Sequence, residues 1–91
     1  MRSVRLTITG RVQGVGYRIW AERTAQSLGI RGWVRNRHDG SVELQGTGGK
    51  DAIDALIEAC RQGPPAASVT DVIVTDTEDD GGSGFSARPT I

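Results

Sequence analysis

Near the N-terminus Val4, Leu6 and Ile8 alternate with Arg5, Thr7 and Thr9. That period of two puts one face of a strand on a core and the other towards water. The strand should end near Gly10. From Tyr17 the period lengthens: Tyr17, Ala21, Ala25 and Leu28, with Trp20 and Thr24 beside them, trace one helical face. Gly29 then stands where a helix C-terminal glycine belongs. Residues 30–36 and 42–47 read as a second and third strand. Asp39-Gly40 between them is a hairpin signal, because glycine tolerates the positive φ of a tight turn. Gly46, Gly48 and Gly49 break the chain before a second helix over residues 51–62, whose apolar stripe is Ile53, Leu56, Ile57 and Cys60. Gly63-Pro64-Pro65 stops it. Val69, Val72, Ile73 and Val74 mark a fourth strand with less regular alternation. The acidic, glycine-rich residues 79–84 predict a flexible loop, and residues 85–88 a short fifth strand that Pro89 confines to an edge.

The order β-α-β-β-α-β predicts an α+β, ferredoxin-like sandwich. Its sheet, mixed or antiparallel, would have four to five strands and carry both helices on one face. With 91 residues, 36% hydrophobic and 24% charged, the chain is expected to form one domain over residues 1–91. No apolar run approaches the ~20 residues of a membrane helix, and residues 1–10 lack the continuous apolar stretch of a signal peptide. No membrane association and a cytoplasmic location are the expectations, with a monomer the default for this size. The single cysteine excludes an internal disulfide, and with a single histidine it excludes an ordinary His/Cys metal cage. Whatever the chain does, it is expected to do without that chemistry.

The formal charge of zero hides an asymmetry. Residues 1–50 hold nine basic groups against three acidic ones, a balance of +6, and the remainder is −6. Arginines sharing a face would draw anions to it; the simpler alternative is that both halves mix over the folded surface.

Candidate chemistry concentrates in Gly10-Arg11-Val12-Gln13-Gly14-Val15-Gly16-Tyr17-Arg18. Here a strand ends, glycines make a tight loop, and a helix opens on an arginine. Free N–H groups and the positive end of the dipole make a helix N-terminus a ready anion site. Gly14 and Gly16 let a ligand approach the backbone without Cβ interference. An arginine opposes the dipole there, the kind of local conflict that accompanies function. The G-x-G-x-x-G pattern fails because Ile19 stands at its last glycine, and the P-loop pattern lacks its lysine and Ser/Thr. Spacing alone leaves open an anion loop or an ordinary strand-to-helix turn. Asn36, before the hairpin, has an amide that both donates and accepts and can orient a water. An asparagine there can equally bond its own backbone.

Taken together, GRVQGVGYR and GWVRNRHDGSVE resemble the acylphosphatase family, and the RQGPP helix stop and late Gly-Phe extend the likeness along essentially the whole chain. The resemblance implies the ferredoxin-like fold and hydrolysis of acyl phosphates to a carboxylate and inorganic phosphate. It implies catalytic roles for Arg18 and Asn36, and a phosphate cradle from the backbone of Gln13, Gly14, Val15, Gly16, Tyr17 and Arg18. The leaving carboxylate, with a conjugate-acid pKa near ~4, departs unprotonated and needs no general acid. Water would attack in line, with no metal and no covalent intermediate. The final strand, Ser86 to Ile91, is less apolar than the family pattern.

Other polar residues read more simply. Cys60 belongs to an apolar stripe, His38 to a solvated turn, and Trp33 to sheet packing, with Trp20 part exposed. The cluster Asp76, Glu78, Asp79 and Asp80 lacks the spaced ligands of a calcium loop. An RNA-recognition module shares the element order but needs aromatics on its first and third strands, which read VRLTITG and SVELQGT; no nucleic acid is expected. The remaining alternative is a non-catalytic module binding an anion or an acyl phosphate such as carbamoyl phosphate. A free-standing enzyme acting on a small acyl phosphate is preferred.

Overall fold

The computed structural model describes residues 1–91. Its elements are β1 (Arg2–Arg11), α1 (Tyr17–Ser27), β2 (Arg31–Asn36), β3 (Val42–Gly48), α2 (Lys50–Gln62), β4 (Ser68–Asp76) and β5 (Phe85–Arg88). The sheet order is β4-β1-β3-β2-β5. The short β5 runs parallel to β2, and every other pair is antiparallel. This is the ferredoxin-like α+β arrangement with one added edge strand. No helix is long and apolar enough to cross a membrane.

The alternation in β1 does what its period demands. Val4, Leu6 and Ile8 are buried in one hydrophobic cluster with Val34, Val42 and Leu44 from the sheet, Tyr17, Ala21 and Ala25 from α1, and Ile53, Leu56 and Cys60 from α2. Ile57 completes the α2 stripe only in part. Gly29, with φ +70°, ends α1 in the left-handed conformation. At Gly46 a Cβ would stand 3.1 Å from Ile30 and 3.5 Å from Leu56, so helix and sheet approach closely there.

The irregular alternation of β4 has a local cause. Thr9 pairs with Asp71 and Gly10 with Val69, leaving Thr70 as an extra residue. This bulge returns Val69 to the same side as Val72 and Val74. Gly10 has φ +119°, and a Cβ there would lie 2.6 Å from the Thr70 nitrogen. Glycine is therefore required opposite the bulge.

The other sheet face carries no helix, yet Glu43, Gln45 and Thr47 on β3 are buried there. Arg5, Arg35 and Arg37 close on Glu43 at 3.8, 2.7 and 3.3 Å. Trp33 does pack against the sheet, but on this side. The Arg5, Arg35 and Arg88 guanidiniums lie 5.5, 4.5 and 4.9 Å from its ring centre. The acidic loop is tied down, against the expectation of a flexible one. Arg31 grips Asp79 at 2.6 and 3.2 Å and donates to the Gly82 carbonyl at 2.9 Å. Asp79 and Asp80 accept from the N–H groups of Gly81 and Gly82. The Arg31 guanidinium holds the Asp79 carboxyl below the usual carboxylate range.

Candidate active site

Gly14 and Gly16 adopt φ +73° and +77°. A Cβ at either would touch no protein atom, so the backbone conformation is what calls for glycine. Gly16 caps α1 in the left-handed conformation, with no side-chain cap and no acidic residue in the first turn. From Gln13 to Ile19, no backbone N–H finds an acceptor within the chain. A helix N-terminus ordinarily leaves its first N–H groups free; here the loop before it adds more.

Tyr17 anchors the start of α1. Its ring is buried and packs edge-on to Trp20 at 5.2 Å, and its hydroxyl donates to the Cys60 carbonyl at 2.7 Å. Burial pushes the Tyr17 phenol upwards. Its side chain therefore faces the core while its N–H belongs to the loop.

The next residue turns outward. Arg18 Nη1 donates to the Arg88 carbonyl at 2.9 Å, and no carboxylate lies within salt-bridge distance of Arg18. Its charge is unanswered. Glu22 and Gln26, further along the same helical face, also hold β5: Glu22 accepts from the Ala87 N–H at 2.8 Å, and Gln26 donates to the Phe85 carbonyl at 3.0 Å. The weakly apolar last strand is thus docked through its main chain.

Asn36 ends β2. Its carbonyl accepts from the Ile91 N–H at 3.1 Å, and the neighbouring His38 N–H donates to the Ile91 carbonyl at 2.7 Å. The Asn36 Oδ1 is buried without a partner. The self-bonding alternative for this asparagine is not realised. A buried, unpaired acceptor costs about 1–3 kcal/mol, and in a functional cleft it invites a water or a ligand.

One pocket of about 190 Å³ joins these features, lined by Val12, Gly14, Gly16, Tyr17, Arg18, Ile19 and Asn36. The strand-to-helix loop and the end of β2 thus meet although β3 lies between β1 and β2 in the sheet. Gln13 and Val15 do not line the pocket; Val15 packs against the core. Sequence reasoning missed Val12 and Ile19. Ile19 had a signal, since it lies off the apolar face of α1 and is 54% exposed. Cys60 is buried, its thiol pushed up to about 11 by that burial, and no group of three His, Cys, Asp or Glu side chains converges on a common point.

A sequence profile described as Acylphosphatase matches residues 4–87. A curated acylphosphatase of Rhodospirillum rubrum is 46% identical over 91 residues, covering all of both chains. The crystal structure of acylphosphatase from Bacillus subtilis superposes with a TM-score of 0.93 at 38% identity, covering 97% of this chain and 99% of that one. Full-length HypF, in a phosphate- and nucleotide-bound form, contains a similar region (TM-score 0.83, 26% identity) that takes up 12% of its length.

Proposed function

The chain belongs to the acylphosphatase family and is a hydrolase of acyl phosphates, and on that premise we propose that the pocket between α1 and β2 performs the reaction. The observation that carries this reading is the convergence in one pocket of unpartnered loop N–H groups, a guanidinium without a carboxylate, and Asn36, whose side-chain amide makes no hydrogen bond in the chain.

In our reading the N–H groups of Gln13, Gly14, Val15, Gly16, Tyr17 and Arg18 cradle the phosphate oxygens, with the α1 dipole adding its positive end. The Arg18 guanidinium leaves the neutral Arg88 carbonyl and pairs with the phosphate, a stronger, charge-assisted contact. The Asn36 carboxamide, which can both donate and accept, holds a water and aims it at phosphorus. Phosphoryl transfer through a loose transition state asks mainly for positioning and charge stabilisation. Donors fixed before the substrate arrives supply both without reorganisation. A substrate phosphate oxygen accepts the proton from water, and the carboxylate leaves as an anion. No metal, cofactor or covalent intermediate takes part.

We read residues 1–91 as one domain, supported by the single cluster of 16 buried residues. We further propose a monomer in the cytoplasm without nucleic-acid partners. The uncovered faces of β1 and β3 support the last point, presenting Arg5, Thr7, Glu43 and Gln45 rather than aromatic platforms. The non-catalytic alternative is not favoured: relatives matched over their full length are named as acylphosphatases.

The test is benzoyl phosphate hydrolysis in H₂¹⁸O with EDTA present. The expected result is undiminished turnover with the label in inorganic phosphate. Label in benzoate would place the attack on carbon, and loss of activity with EDTA would require a metal.

A further inference from the structure

Gln13 opens the cradle loop, but its side chain reaches across to the turn after Asn36. Nε2 donates to the Arg37 carbonyl at 2.7 Å and to the Ser41 carbonyl at 2.8 Å. A primary amide nitrogen has two hydrogens, one for each acceptor. Those carbonyls belong to the two arms of the turn that follows Asn36. The Arg37 N–H donates to Ser41 O at 2.9 Å and the Gly40 N–H to Arg37 O at 3.1 Å, so the turn is already closed before Gln13 reaches it. Asp39 tightens it further by accepting from the Ser41 N–H and hydroxyl at 2.9 and 2.6 Å. No other hydrogen bond joins residues 12–16 to residues 36–41.

The sheet order gives this contact its importance. The cradle hangs from β1 and Asn36 from β2, with β3 between them. Neighbouring-strand pairing therefore cannot set the distance between the two halves directly. The Asn36 side chain has no hydrogen bond on Oδ1 to fix it, so its place follows its backbone.

We propose that Gln13 is a positioning residue, whose carboxamide clamps the Asn36 hairpin to the phosphate cradle and sets the distance between attacking water and phosphorus. This rests on the reading of the pocket as the acyl phosphate site. The Gln13 backbone begins the cradle loop while its side chain orders the other half of the site. Misplacing one reactant by about 1 Å can cost on the order of a hundredfold in rate, whereas phosphate affinity, set within the loop, should hardly change.

Gln13→Met keeps the length and removes both donors; Gln13→Lys restores donors through its ammonium. Both are assayed with benzoyl phosphate beside the wild type, with inorganic phosphate as competing product and thermal unfolding as the check on folding. For Gln13→Met we expect kcat to fall about ten- to a hundredfold while the inhibition constant of phosphate stays within about twofold. Gln13→Lys should recover most of the lost kcat. A Gln13→Met enzyme with wild-type kcat overturns the proposal. So does a parallel loss of kcat and phosphate binding, which would put the side chain in the grip itself, or a Gln13→Lys enzyme as slow as Gln13→Met. An inactive wild type would instead remove the reading of the site on which the proposal rests.

Discussion

Arg35 and Arg18 are both half-buried arginines on secondary structure, and they do opposite things. Arg35 pairs with Glu43 through Nη2 at 2.7 Å and Nε at 2.8 Å, and lies over Trp33. Arg5 and Arg37 join it on the same buried carboxylate. Arg18 meets only a neutral carbonyl, at 2.9 Å. A guanidinium on a carboxylate has its charge answered and becomes part of the frame. One resting on a carbonyl keeps its charge and most of its five donors for an incoming anion. Partner and place together, rather than residue type, set Arg18 apart: it lines the pocket and its charge is unanswered.

The contrast can be broken most severely at its active end. Arg18→Gln should lower kcat/KM for benzoyl phosphate by at least about a hundredfold, the scale of losing one preorganised donor with its charge, and leave Tm nearly unchanged. Asn36→Ala comes next, with kcat down by about tenfold to a hundredfold while inorganic phosphate still inhibits. Steady-state kinetics with phosphate as product inhibitor separates the two variants.

At the structural end, Glu43→Gln leaves three guanidiniums facing one another over a neutral amide. Glu43 is buried although its partners are part exposed, so the loss should be about 2–3 kcal/mol rather than the full cost of a broken buried pair. That corresponds to a fall of roughly 10 °C or more in Tm, with kcat retained at temperatures where the variant is folded. The smallest effect is at Cys60. Its folded-state pKa is about 11, raised from 9.0. Between these values the unfolded chain has released the thiol proton and the folded chain has not. Stability therefore declines as pH rises through that window and is indifferent to this group below it. Urea titrations at pH 8 and pH 10 on the wild type and Cys60→Ala measure the difference; equal alkaline losses in both would contradict it.

The elements that a single local period determines were legible in the sequence, because one strand face or one helix stripe has to be buried. Strands β1 to β3 and both helices fell within a residue or two of their limits at nearly every end, although β1 begins at Arg2 and runs to Arg11. Residue pattern also brought out Arg18, through its conflict with the helix dipole, and the Asp39-Gly40 turn. What stayed hidden depended on neighbours distant in the chain. The bulge at Thr70 is visible only opposite Gly10. The burial of Glu43 needs arginines from β1 and β2, and the tethering of the acidic loop needs Arg31. The role of the Gln13 side chain needs the Ser41 carbonyl, 28 positions away. For Asn36 the residues alone left two readings open, and only the distant packing around β2 shows that its Oδ1 makes no bond to its own backbone.

The most direct test of this division is one experiment on two variants, Arg18→Gln and Arg35→Gln, each assayed for benzoyl phosphate hydrolysis and thermal unfolding. Arg18→Gln should unfold with the wild type and scarcely turn over. Arg35→Gln should unfold several degrees lower, in line with a loss of about 1–2 kcal/mol, and still turn over at 25 °C or so. Normal turnover by a folded Arg18→Gln protein would contradict the assignment of substrate binding to Arg18, the arginine that lines the pocket and meets no carboxylate there.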